Sequence, residues 1–93
     1  MRLQDHQSRT VQTVTQVTRD VKSMLEQSFS GVWVEGEIFG LKTPRSGHSY
    51  FTLKDAQAQI SAVLFRGNAM RLRIALQEGM SVQCFGRLTL YEA

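Results

Sequence analysis

The chain has 93 residues, a single cysteine (Cys84) and a formal net charge of +3. A length of this order supports one small domain, burying only about two-thirds of the surface its unfolded chain exposes. An internal disulfide and a multi-cysteine zinc site are excluded, as is a spanning segment of about 18 consecutive apolar residues.

Met1-Arg2-Leu3-Gln4-Asp5-His6-Gln7 lacks the apolar core of a signal peptide, so the expected setting is soluble, reducing and cytoplasmic. Residues 1–12 are polar and aperiodic and are expected to be a disordered lead-in. Val14, Val17, Val21, Met24 and Leu25 then recur at helical spacing, which predicts an amphipathic helix from roughly Thr15 to Gln27. Thr13 and Thr15 can each cap it. Thr13 with Gln16 has capping-box spacing, while Thr15 gives the cleaner start. Threonine and valine are mediocre helix formers, so packing is expected to hold this helix in place.

Phe29-Ser30-Gly31 breaks the helix, and Val32 to Phe39 reads as a strand with Val32, Val34, Gly36 and Ile38 on one face. A glycine inside a strand marks a bend, a bulge or a close backbone approach. The loop 40–47 carries Lys42, Arg45 and the only proline, Pro44. A second strand over 48–55 directs Phe51 and Leu53 inward and Tyr50, Thr52 and Lys54 outward. Asp55-Ala56-Gln57 turns the chain into a third strand, Ala58 to Phe65. Its inward set is Ile60, Ala62 and Leu64, with Gln59, Ser61, Val63 and Phe65 outward. A short helix from about Asn68 to Leu76 follows, with Asn68 as its cap and Gly79 closing the segment. The last strand, Met80 to Tyr91, has Val82, Cys84, Leu88 and Leu90 inward and Gly86 in its middle.

A helix, three antiparallel strands, a connector helix and a long curved strand match the OB architecture, a five-stranded, partly open Greek-key barrel. The fold class is mainly β with an N-terminal helix. The domain is expected over 13–93, and the chain ends at Ala93, where a turn and a fifth strand are expected to follow. Self-association through the unpaired edge is the expected consequence of that missing strand.

Charge is concentrated along the sequence. Residues 1–41 and 74–93 each carry a net of −1. Between them Lys42, Arg45, Lys54, Arg66, Arg71 and Arg73 face only Asp55. Such a patch points to an anionic partner more firmly than a high isoelectric point does, against the plainer reading of a soluble basic surface.

The runs VWVEGEI (Val32 to Ile38), SGHSYFTLKD (Ser46 to Asp55) and LYE (Leu90 to Glu92), with the helix before them and the basic LFRGNAMRLR segment, resemble a known family. It is the N-terminal OB domain of the exodeoxyribonuclease VII large subunit, and the resemblance covers residues 13–92. One departure is Phe39-Gly40, where that family more often has a polar pair. The resemblance implies a domain that binds single-stranded DNA for a nuclease whose catalytic region lies downstream and whose partner is a small helical subunit. It implies no strict need of a divalent metal, and no cofactor is expected.

The chain itself is not expected to be an enzyme. His6 and His48 are the only histidines, and no acid–base pair, phosphate loop or metal-ligand cluster has local spacing. Adjacent turn residues such as Ser46 and His48 seldom face one another as nucleophile and base. His48 is instead a structural turn residue or a phosphate contact. Tyr50 and Phe65 are stacking candidates on outward phases, or else rings packed under a neighbouring segment, the reading favoured for Phe65. Trp33 shares its face with Glu35 and Glu37 and is expected to pack on the N-terminal helix or a neighbouring domain. Lys42, Arg45, Lys54 and Arg66 are the expected backbone-tracking cations, with Arg71 and Arg73 contributing less. A docking module that contacts its own catalytic domain or a partner subunit is the alternative. RNA is a weaker possibility, because nothing here reads a 2′-hydroxyl.

Overall fold

The computed structural model describes Leu3 and residues 9–91, so most of the expected lead-in, with His6, and also Glu92 lie outside the described residues. The first element is the helix α1, Val14–Ser28. Its start is set by Thr13, not Thr15. The Thr13 hydroxyl accepts the Gln16 N–H at 3.0 Å, and the Gln16 side chain accepts the Thr13 N–H at 2.8 Å. The reciprocal bonds satisfy two donors that the first helical turn leaves free, so the box outcompetes the later start. Val14, Val17, Val21 and Met24 are exposed. Besides its capping box, α1 is tied at its far end: the Thr89 hydroxyl donates to Glu26 at 2.7 Å, and the Leu88 N–H donates to the Phe29 carbonyl at 2.9 Å.

The chain divides into two units, residues 1–31 with 87–93 and residues 32–86. The second unit is a four-stranded antiparallel sheet built from β1 (Val32–Lys42), β2 (Ser49–Lys54), β3 (Gln59–Leu64) and β4 (Ser81–Gly86), in the order β3-β2-β1-β4. Its buried centre among the described residues is Ile38, Phe51 and Leu53, and Ile38 lies opposite Leu53 in the β1–β2 ladder. Val34, Leu41, Ala62, Leu64, Val82 and Cys84 pack around that centre, which burial of alternate residues on each strand produces. Ile60 keeps the inward phase but is exposed. Desolvation of the half-buried Cys84 thiol pushes its pKa up. Gly36 leaves room for the Leu53 side chain: a Cβ there would lie 2.9 Å from Leu53 Cγ.

Three expectations need correction. β1 does not stop at Phe39 but runs on to Lys42 through a bulge. Phe39 pairs with Thr52 and Lys42 with Tyr50, so two residues of β1 (Gly40 and Leu41) face one of β2. The connector is a single turn, α2 (Arg66–Ala69), with no side-chain cap, rather than a helix capped by Asn68. The following segment is irregular. Its Leu72, Ile74 and Leu76 line, with Leu41 and Leu64, a hollow of about 230 Å³. Finally, β4 ends at Gly86, and Leu88 and Leu90 lie beyond it, half-buried.

Candidate nucleic-acid interface

The face of the sheet turned away from Ile38, Phe51 and Leu53 collects most of the residues that the sequence singles out. In an antiparallel ladder, directly paired residues project on the same side. Tyr50 therefore stands between Lys42 on β1 and Val63 on β3, and Thr52 stands between Phe39 and Ser61. Lys54 stands between Glu37 and Gln59. One row of cations and rings thus follows β2 along its length.

The bulge is what brings Lys42 into that row. Along β1 the outward residues are Trp33, Glu35, Glu37 and Phe39, all odd-numbered. The extra residue inverts the alternation, so Leu41 packs toward the core and Lys42 emerges beside Tyr50. Gly40 supplies the conformation required, with φ +68°. The two N–H groups this arrangement frees, those of Gly40 and Leu41, both donate to the Glu78 carboxylate, at 2.8 and 2.9 Å. These bonds, that from Leu41 first, hold the Glu78 carboxyl below the usual glutamate range, with a smaller contribution from the Lys54 charge.

The second group lies at the end of β2 and β3. The His48 Nδ1 accepts the Arg66 N–H at 2.9 Å, and the His48 ring meets Phe65 edge-on with centroids 5.5 Å apart. The imidazole proton is thereby assigned to Nε2. Gly47, at φ +85°, leaves room for the Arg66 stem, whose Cδ would lie 2.9 Å from a Cβ on that glycine. His48, Phe65 and Arg66 are thus locked together, and Arg45 projects from the exposed turn 45–46 next to them in sequence. The Ser46 hydroxyl accepts from the His48 backbone N–H at 3.3 Å, while the imidazole is engaged with Arg66. Arg71 and Arg73 follow α2 on the exposed irregular segment.

Ring availability separates the aromatics. Tyr50 is 43% exposed, Phe65 56% and Phe39 52%. Phe39 is the ring that sequence reasoning missed: the Lys54 ammonium lies over it, 4.2 Å from the centroid. Its phase, shared with Trp33, Glu35 and Glu37, was the available signal. Trp33 is 71% exposed, and its ring meets Phe85 on β4, at 5.2 Å between centroids. Around that pair stand Glu35, Glu37 and Gln83, and the Gln83 side chain donates to Glu35 at 3.4 Å. One end of the face is therefore cationic and aromatic, the other acidic and aromatic. Among the described residues no group of three or more His, Cys, Asp or Glu could hold a metal ion, and no helix is long and apolar enough to cross a membrane.

A curled antiparallel sheet with stackable rings and cations on its outer face defines an OB-type nucleic-acid-binding domain. The chain belongs to the family of OB-fold nucleic acid binding domains, whose model matches residues 12–93. It is similar to the exodeoxyribonuclease 7 large subunits of Azotobacter vinelandii and Pseudomonas fluorescens, at 51% identity over 84 residues in each case. To that of Pseudomonas aeruginosa it is 50% identical over 84 residues. Each match covers 90% of this chain and 18% of the relative, so the chain spans about a fifth of the length of these proteins.

Proposed function

We propose that the chain is the single-stranded DNA-binding domain of an exodeoxyribonuclease VII-type large subunit, presenting a strand to a catalytic region elsewhere in that protein. The observation that carries this reading is the row along β2, where two cations stand with two rings, Lys42 beside Tyr50 and Lys54 over Phe39. A single strand offers phosphates and unstacked bases at intervals that such a row can follow without reading sequence. Arg45 and Arg66 extend the cationic track past the end of β2, with the His48 Nε2–H as a neutral hydrogen-bond donor and Phe65 beside them. In the whole protein the reading entails a nuclease working in the cytoplasm with its small subunit.

The test is a salt titration of this chain with oligonucleotides of DNA and RNA. Three or four neutralised phosphates give a log–log slope of roughly −2 to −3 for single strands. Labelled single-stranded DNA is expected to remain intact during the measurement. Absence of binding, or degradation that co-purifies with the folded domain, overturns the reading.

A second reading is favoured by the exposed Trp33–Phe85 pair beside Glu35 and Glu37. Carboxylates there repel phosphate, so this end suits a cationic protein segment better than a nucleic acid. A module used only for such docking shows little affinity for either oligonucleotide.

A further inference from the structure

We infer that Glu78 is a positioning residue for single-stranded DNA binding, acting through the β1 bulge on Lys42; this rests on the functional reading above. Three observations converge on it. The bulge inverts the alternation of β1 and so decides whether position 42 faces the core or Tyr50. The N–H groups of the two bulged residues, Gly40 and Leu41, both donate to one carboxylate. That carboxylate is itself fixed in place. The Gly79 N–H donates to the Ile38 carbonyl at 2.8 Å and the Ile38 N–H to the Met80 carbonyl at 2.9 Å, pinning the segment around Glu78 against β1. Gly79, at φ +81°, makes the turn that permits both bonds.

A carboxylate suits this place because it accepts at two oxygens. A carboxamide of the same shape accepts at one and presents an NH₂ group to the other donor. Glu78→Gln therefore releases one of the two bulge amides, and Lys42 loses its fixed place beside Tyr50. Charge alone makes the opposite demand. Glu78 lies close enough to Lys54 to feel its charge, so removing a negative group there strengthens the attraction for phosphate. Glu37, directly across from Lys54 in the β1–β2 ladder, provides the comparison: Glu37→Gln removes the same charge from the same neighbourhood and leaves the bulge intact.

The experiment measures binding of a fluorescent oligo-dT by this chain across salt concentrations. Wild type, Glu78→Gln, Glu37→Gln, Lys42→Ala and the double variant Lys42→Ala/Glu78→Gln are compared. Glu37→Gln is expected to bind as tightly as wild type or tighter. Glu78→Gln is expected to bind roughly three- to tenfold more weakly at about 0.1 M salt, with a slope shallower by about 0.7, the loss of one phosphate contact. The double variant is expected to be no weaker than Lys42→Ala alone. Gly40→Ala strains the same bulge through its positive φ without touching any charge, and a Cβ there meets nothing within 4 Å. It is expected to reproduce the Glu78→Gln effect. Amide NMR shifts separate local release from unfolding: Gly40 and Leu41 are expected to move, while Phe51 and Leu53 stay. If Glu78→Gln binds like Glu37→Gln, or shifts the core amides along with the bulge, the assignment is wrong while the functional reading stands. A wild-type chain that binds no oligo-dT overturns both.

Discussion

Truncating Phe39 to alanine separates two uses of one ring. In the free chain the Lys54 ammonium occupies one face of Phe39 at 4.2 Å from the centroid, and the ring is half exposed. A cation over an exposed ring contributes about 0.5–1 kcal/mol, and a base stacked on a ring about 1–3 kcal/mol. A base that takes the place of the ammonium must displace it, which leaves a net of roughly 0.5–2 kcal/mol, or about 2- to 30-fold in Kd. The displaced ammonium is then available to a phosphate. Phe39→Ala is thus expected to weaken oligo-dT binding within that range while keeping the salt slope of wild type, because Lys54 still meets its phosphate. Lys54→Ala is expected to flatten the slope by about 0.7, but to lose less affinity than Lys42→Ala, because the vacated ring face is open to a base from the outset. The assay is fluorescence anisotropy at several salt concentrations, completed by the double variant. Unchanged affinity in Phe39→Ala, or strict additivity of the two substitutions, refutes the exchange of cation for base.

Tyr50→Ala is expected to cost about 1–3 kcal/mol of binding if a base stacks between Lys42 and Val63, and Arg45→Ala to weaken all sequences alike with a shallower slope; titrations with oligo-dT and a mixed sequence check both. Gly36→Ala is expected to destabilise the chain by roughly 1–3 kcal/mol, since its Cβ would meet Leu53 Cγ at 2.9 Å and the Lys54 carbonyl at 3.0 Å, whereas Gly86→Ala meets open space and is expected to be tolerated. Thermal melts of the two variants distinguish these outcomes. Stability is also expected to fall in acid: the Gln57 and Ala58 N–H groups on Asp55, and the Leu41 and Gly40 N–H groups on Glu78, hold both carboxyls below their usual range. Groups depressed on folding contribute stability that is complete above their unfolded values and is lost as pH falls through and below about pH 4. Denaturant midpoints between neutral and acid pH, with Glu78→Gln showing a smaller decline, measure this.

Phe51 and Leu53 were legible in the sequence because a two-residue period with one buried face leaves a plain signature. The helix was legible to within a residue at each end, and its cap was written in Thr13 and Gln16. The bulge was not legible. Gly40 looks like a strand end, and the group that lets the strand continue, Glu78, lies 38 residues away. The Lys54–Phe39 contact was hidden for a related reason: it depends on the register between two strands, which no single strand specifies. The connector failed differently. Asn68 looks like a cap and Gly79 like a stop, but α2 begins at Arg66 without a side-chain cap, and Leu72, Ile74 and Leu76 line a hollow from an irregular segment. Local pattern gave which face of β2 turns outward; non-local hydrogen bonds decided what stands beside it.

The core of the sheet has a consequence for how a ligand would be received. Ile38, Phe51 and Leu53 all belong to the β1–β2 ladder, so their backbone amides are expected to be the slowest of this unit to exchange with solvent. Tyr50, Thr52 and Lys54 alternate with those residues on the same strand, and Phe39 and Lys42 hang from its partner. The outward row therefore rides on the stretch of backbone that opens least. A strand arriving there has only its own freedom and that of a few side chains to lose, because the protein main chain beneath was ordered when the sheet formed.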